Sequence, residues 1–327
     1  MAEASRVGKS ALHPDWPEAS YNVSGMFIYH LLLAQFLDMM KDGFSCRVPV
    51  EAIHGAPAIR WNAGRPAKLP LNVAGLSASL DPMYSRNVGY FATFSNHLIG
   101  NEDLSDPSGN RLLEFIAQRP DLNGVIIVSD MLSNYIQRKF PALRQIASII
   151  KVTFDQGKGR TDYYRELGKR FHRYVVHPDD CRDLKLLDQL DRDKAEIIIN
   201  ENCVADCPTR PKHYDAYARL QRALGTPQEQ VVQNEINQIV ASCHSPLRPN
   251  RLCEHRRSCN LDRAELKAIY DMGFRHFKLQ GRADDPFTYA YDLVRITLEP
   301  EFVVPHVLKS LTPFLARSLV ERGKQMH

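Results

Sequence analysis

The sequence predicts an α/β fold built on a parallel sheet, and three observations predict it. Beyond about residue 110, short apolar segments alternate with longer amphipathic ones, which is the rhythm of repeated βα units. Several of the short segments, such as Asn123 to Val128 (NGVIIV), run continuously apolar, as strands covered on both faces do. Polar residues recur directly after the segments: Ser129 and Asp130, Thr153 and Asp155, His177 and Asp179, Asn200 and Glu201, Gln280 and Arg282. A barrel and a doubly wound open sheet both satisfy these observations, and in both the reactive edge lies beyond the carboxyl ends of the strands.

Taken in order, residues 1–20 carry Pro14 and Pro17 without a clear period and read as an irregular arm. Met26 to Met40 is apolar at helical spacing and stops at Lys41-Asp42-Gly43. Candidate strands follow at Ser45 to Val50 and Ala58 to Asn62, then a mixed segment from Ala67 to Leu80 and a strand from Asn87 to Phe94. The regular part reads as helix Arg111 to Gln118, strand Asn123 to Val128, helix Met131 to Lys139, strand Gln145 to Val152, helix Tyr163 to Gly168, strand Arg173 to His177, helix Cys181 to Leu190 and strand Ala195 to Asn200. Between about 208 and 262 the rhythm pauses for helices at Lys212 to Leu224 and Pro227 to Ser242 and a polar loop. It resumes with helix Asp262 to Met272, strand His276 to Leu279, and helices Pro286 to Thr297 and Val304 to Arg322. One domain over 21–327, with an insertion at about 208–262, is the expected organisation.

The chain has 327 residues, 44% hydrophobic and 24% charged, which is ordinary for a chain that buries a core. Forty-two basic residues against 38 acidic ones leave a net charge of +4, spread without a long run of one sign, so a dominant nucleic-acid-binding surface is not expected. Arg248, Arg251, Arg256, Arg257 and His255 form one basic loop, read either as a solvated face or as a clamp for an anionic substrate. No apolar run is long enough for a membrane span and Met1 to Pro14 lacks a signal-peptide core, so a cytoplasmic location is expected. Seven cysteines, an odd number, argue against a disulfide framework.

The sharpest local feature is Asn200-Glu201-Asn202-Cys203-Val204-Ala205-Asp206-Cys207, placed directly after a predicted strand. Thiols at this spacing approach within one turn and are able to ligate one metal; Cys243, Cys253 and Cys259 supply further soft ligands, which suit an iron–sulfur cluster or zinc. Buried thiols with no ligand remain the bland alternative. Cys46 reads as a core thiol in a strand, and Cys181 as a thiol opening a helix, where its pKa would fall. Arg210 is suited to grip a carboxylate or phosphate and His213 to act as an acid or base, although a solvated helix start explains both as well. No P-loop, G-x-S-x-G or dinucleotide fingerprint is present.

Several of these segments, in order, resemble the peptidase U32-like family. They are Leu122 to Asp130 (LNGVIIVSD), Arg138 to Pro141 leading to Ala147-Ser148, Arg173 to Asp179 (RYVVHPD), Glu196 to Cys203, and Met272 to Arg282 (MGFRHFKLQGR), together spanning roughly residues 90–285. The resemblance implies a TIM-barrel-like (β/α) fold, complete or distorted. From members that act as oxygen-independent hydroxylation factors, it also implies a four-cysteine [4Fe–4S] cluster. Cys203 matches the first family cysteine and Cys259 falls near the last. Cys207 is spaced differently from the second, and Asn200-Glu201-Asn202 replaces the family's His-Gly-Ala, so the chain resembles a divergent member.

The leading expectation is an oxidoreductase with a metal or iron–sulfur centre on Cys203, Cys207, Cys259 and one of Cys253 or Cys243, with Asn200 and Glu201 as cofactor-binding residues. Its substrate would be small or carrier-held, and anionic if Arg210 or Arg282 grips it. Lys278, Gln280 and Arg282 would project toward the same mouth, as would His177 and Asp179, with Arg210 and His213 as further catalytic candidates. Two alternatives stand beside it: a metal-independent lyase or hydrolase using His177, Asp179 and Lys278, and a non-catalytic subunit that carries a cluster within a homo- or hetero-oligomer.

Overall fold

Eight short strands close into one parallel barrel in the computed structural model, which describes residues 10–63, 70–201, 203–241, 257–281, 286–301 and 303–325. The order is β1 (Ser20–Ser24), α1 (His30–Phe44), β2 (Val50–Gly55), α2 (Val73–Tyr84), β3 (Gly89–Phe94), a 3-10 turn (Asn101–Ser105), α3 (Pro107–Ile116), β4 (Gly124–Ile127), α4 (Asp130–Lys139), β5 (Arg144–Ala147), α5 (Ile149–Phe154), α6 (Thr161–Arg170), β6 (Arg173–Val175), α7 (Leu184–Leu187), β7 (Ala195–Ile198), α8 (Arg210–Ala223), α9 (Glu229–Ala241), α10 (Arg263–Asp271), β8 (His276–Leu279), α11 (Pro286–Thr297) and α12 (Val303–Gln325). Each strand pairs with its sequence neighbours, and β8 closes on β1 through Asn22 opposite Lys278. The architecture is therefore the TIM-barrel-like α/β fold.

Side chains alternate across the wall with the period of two that a strand imposes. Tyr21, Val23, Ile53, Tyr90, Ala92, Val125, Ile127, Tyr174, Ile197 and Phe277 face the surrounding helices in one large core. Ala52, Phe91, Ile126, Ile146, Val175 and Ile198 face inward and fill the barrel in a second. Each fully buried aliphatic or aromatic side chain contributes about 1.5–3 kcal/mol relative to exposure. At the amino-terminal end the interior is closed by charge: Glu51 pairs with Arg144 at 3.0 Å and with Arg173, and the Arg144 guanidinium lies 5.0 Å over Phe91. The carboxyl end is left for the site.

Six expectations are corrected. Residues 10–19 form turns, with His13 stacked on Trp16 at 3.6 Å, but the next five residues are β1, a full member of the barrel. Its inward positions Asn22 and Ser24 are polar, which hid the strand. The second strand is Val50–Gly55, while Ala58 to Asn62 is a turn whose Trp61 is buried under Gly109 without any strand pairing. Gln145 to Val152 splits, because Ser148 accepts from the Ile150 amide at 3.2 Å and caps a helix within the apolar run. Cys46 sits between α1 and β2, not in a strand. Cys181 lies in a buried turn ahead of the short α7, and burial pushes its thiol pKa up, not down.

The outer helix α12 lays Val303, Val307, Leu311 and Leu315 into the core against α11 and α1, so this apolar stripe is covered from within the chain. Among the described residues no helix is long and apolar enough to cross a membrane.

Candidate functional site

The peptide beyond β7 is held down before it delivers any chemistry. The Ile199 amide donates to the Lys278 carbonyl at 3.1 Å, and the Leu261 amide to the Ile199 carbonyl at 2.9 Å. Asn200 then clasps three elements: its Nδ2 donates to the Gln280 carbonyl at 2.8 Å and to Asp292 Oδ2 at 3.0 Å, and its Oδ1 accepts from the Gln280 amide at 2.7 Å. Glu201 is fully buried, accepting from the Cys203 amide at 3.1 Å and from Gln280 Nε2 at 2.7 Å. Neither Asn200 nor Glu201 lines the two cavities described below. Their polar groups fix the loop that carries the cysteines.

A second segment is stapled to that loop. Val204 bridges Ser258, the Ala205 amide donates to the Arg257 carbonyl at 2.8 Å, and the Cys259 amide to the Cys203 carbonyl at 2.8 Å. Cys203 and Cys207 are thereby brought beside Cys259, although 51 residues of chain lie between Cys207 and Cys259. The Cys203 and Cys207 thiols hydrogen-bond to each other, and this contact splits their acidities. Donating to Cys207 raises Cys203, with burial adding to the rise, whereas accepting from Cys203 and from Thr209 lowers Cys207 to about 5. The contact favours the thiolate on Cys207 over that on Cys203. Burial pushes Cys259 up to about 12, with the Arg210 cation opposing the rise.

Arg210, the first residue of α8, ties the group together from a buried position. Its Nη1 meets Asp179 Oδ1 at 3.0 Å and His177 Nε2 at 3.2 Å, and its Nη2 donates to the Val204 carbonyl at 2.7 Å and to Cys259 Sγ at 3.4 Å. Cys259 Sγ in turn donates to Asp179 Oδ1 at 3.4 Å. Burial and then the adjacent guanidinium drive His177 down to about 4, so its imidazole is neutral. Burial opposes ionisation of Asp179, but Arg210 and the other neighbouring cations hold its carboxyl below the usual range. Asp179, His177, Arg210 and Cys207, with Thr153, Lys158 and Asp206, line a recess of about 200 Å³.

The barrel mouth opens into a different cavity of about 280 Å³. Strand ends and loops all round the barrel reach it, from Ser24, His54, Ser95, Ile126, Ser148, Val175 and Ile198 to Lys278 and Gln280, and α8 covers it with His213, Tyr214 and Tyr217. Lys278 and Gln280 line it together with His213. His177 and Asp179 do not join them: they turn into the cysteine recess, so the acid–base set of His177, Asp179 and Lys278 is not brought together in one cavity. Cys243, Cys253 and Arg282, and the basic residues Arg248, Arg251, His255 and Arg256, lie outside the described residues.

Three interior residues that the sequence reading missed gather around Lys278: His54 lines the cavity with it, and Glu196 and Asn22 lie buried behind the lining. Glu196 Oε1 lies 3.7 Å from Lys278 Nζ, Asn22 Nδ2 reaches Glu196 Oε2 at 3.5 Å, and Asn22 Oδ1 meets His54 Nδ1 at 2.9 Å. Their signal was faint: a Gly directly after β1, Gly25, and the Gly closing β2, Gly55, each beside a polar residue. Gly281 repeats it after β8, where a Cβ would stand 2.4 Å from Ser24 Oγ and 2.9 Å from the Tyr289 ring.

The residue chemistry tests the metal expectation in part. Soft thiol donors, one of them acidic, are gathered from two segments beside a guanidinium that balances negative charge. Yet among the described residues no group of three or more His, Cys, Asp or Glu side chains is spaced to hold a metal ion.

No family model and no curated protein matches the sequence. Among solved structures, the U32 peptidase Mk0906 superimposes with a TM-score of 0.50 at 12% identity, covering 85% of this chain and 96% of that one. A GH18 chitinase from Pseudoalteromonas aurantia gives a TM-score of 0.39 at 10% identity over 82% of this chain and 95% of that one. At such identity, the likeness to the U32 peptidase is one of fold alone.

Proposed function

We propose that the chain is a U32-like barrel enzyme whose cysteines form a metal centre beside the barrel mouth, an iron–sulfur cluster first and zinc as the alternative. The observation that carries the reading is the stapling of Cys203 and Cys207 to Cys259 at the carboxyl end of β7, next to Arg210. Cys203, Cys207 and Cys259 would hold the group, with Cys243 or Cys253 completing the set. When bound, an iron–sulfur cluster supplies one-electron transfer, which suits a redox modification such as hydroxylation of a small or carrier-held substrate. Glu201 fixes the Cys203 amide, and Arg210 holds positive charge against the sulfurs, which favours their thiolate forms. The neutral His177 and ionised Asp179 keep that guanidinium in place. His213 and Gln280 orient the substrate in the adjoining cavity.

The test is iron, zinc and acid-labile sulfide analysis of protein purified without oxygen, with a visible spectrum before and after reduction. Iron and sulfide in the proportions of a [4Fe–4S] cluster, with absorbance that bleaches on reduction, are expected. Stoichiometric zinc would convert the centre to a structural one. Protein with neither metal, still folded, would overturn the reading.

A further inference from the structure

The floor of the barrel cavity holds a lysine that the cysteine centre does not use. Lys278 is on the inward face of β8, between Asn22 of β1 and Ile198 of β7, and it faces the cavity of about 280 Å³. Its only described ion pair is with Glu196, at the long distance of 3.7 Å, and Glu196 Oε1 has no hydrogen-bond partner although it is buried. The surrounding wall is largely apolar, with Met26, Ile126, Ile149, Val175 and Ile198. The ammonium is thus desolvated, and it is under-bonded for a group with three donors.

We infer that Lys278 is a nucleophilic amine that forms a Schiff base with a small carbonyl compound in this cavity, with Glu196 as the proton carrier. An anion-binding role fits less well, because Glu196 already balances the lysine charge and the described cavity lining adds no second cation. In the reactive form the pair is an amine beside a carboxylic acid. Nζ attacks the carbonyl carbon, an N–C bond forms, and the C–O π electrons go to oxygen, which takes the proton of the Glu196 carboxylic acid. The nitrogen proton passes to Glu196. The nitrogen lone pair then expels the hydroxyl, which leaves as water on protonation by Glu196, giving a protonated imine and no change in oxidation state. Burial lowers the Lys278 pKa below its ordinary 10.5, with Glu196 opposing, so free amine is available at lower pH than on a surface lysine. The other titratable groups facing the cavity are His54, whose pKa burial and then Lys278 itself push well below 6.5, and His213, Tyr214 and Tyr217 of α8.

Acetylacetone tests this without knowledge of the natural substrate, because it condenses with an unprotonated lysine to a conjugated enaminone that absorbs in the ultraviolet. The whole chain is treated at neutral pH and the modified lysine is located by peptide mass spectrometry. Lys278 is expected to react first, roughly tenfold or more faster than the surface lysines. Lys278→Met should remove the fast phase, and should this variant not fold, the peptide map of the unaltered chain decides alone. Label spread over the exposed lysines with Lys278 unmodified, or Lys278 reacting only near its ordinary pKa, would overturn the inference. No metal takes part in the assay, so its failure leaves the cysteine centre standing.

Discussion

Arg210 is the residue on which the cysteine recess turns. Its fork satisfies Asp179, His177, the Val204 carbonyl and Cys259 at once, all of them buried or nearly so. Removing the guanidinium leaves Asp179 with only the exposed Lys158, at 3.2 Å, among the described lysines and arginines and strips the buried Val204 carbonyl of its donor, at a cost of about 1–3 kcal/mol. Arg210→Met is therefore expected to lower the urea midpoint by that equivalent. Arg210→Lys should recover only part, because a single ammonium cannot reproduce the fork. An unchanged midpoint in both variants would show that the recess does not depend on the guanidinium. At this scale the sequence was informative where chemistry is contiguous: Cys203, Cys207 and Arg210 lie within one stretch of eight residues after a strand and were read together. Asn22, His54 and Glu196 come from three strands far apart in the chain, and only barrel closure brings them to Lys278.

At the scale of elements, β3 and the turn before β4 approach closely at Gly89. A Cβ on Gly89 would stand 1.9 Å from the Leu122 carbonyl oxygen, a backbone atom that cannot swing aside. Gly89→Ala should destabilise the chain by several kcal/mol, through displacement of strands already paired on both sides. Equal thermal midpoints for variant and parent would contradict this. From Gly124 onward most strands and helices were legible to within a few residues, because they are apolar at their own period and Ser129 and Asp262 cap two of the helices; the exceptions are α5, which Ser148 starts inside an apolar run, and the four-residue α7. The first two strands were not. β1 turns Asn22 and Ser24 inward, and Glu51 and His54 break the apolar run of β2, so function and charge closure overrode the pattern.

For the whole molecule, buried neutral imidazoles link stability to pH. Burial lowers His13 to about 4 from 6.5, and His54 lies well below 6.5 for the same reason, with Lys278 adding to it. The unfolded chain binds protons at these sites first as the pH falls. Their stabilisation is complete above about 6.5 and is lost toward pH 4, on the order of 2 kcal/mol for His13 alone. The unfolding midpoint should drop steadily through that window, and His13→Gln should flatten the drop. A midpoint independent of pH between 6.5 and 4 would contradict the assignment. The barrel as a whole was foreseeable from the βα rhythm together with the U32 resemblance. The division of its carboxyl face into a thiol recess and a lysine-floored cavity was not, because the chain order places His177, Asp179 and Lys278 alike, each at or near a strand end. The most direct test of the central claim is the metal content of oxygen-free protein in the unaltered chain, in Cys259→Ser and in Cys46→Ser. One centre built across two segments predicts that Cys259→Ser loses the metal while Cys46→Ser, altered only in a core thiol away from the barrel mouth, keeps it. Full metal retention in Cys259→Ser, or no metal in any of the three, would contradict it.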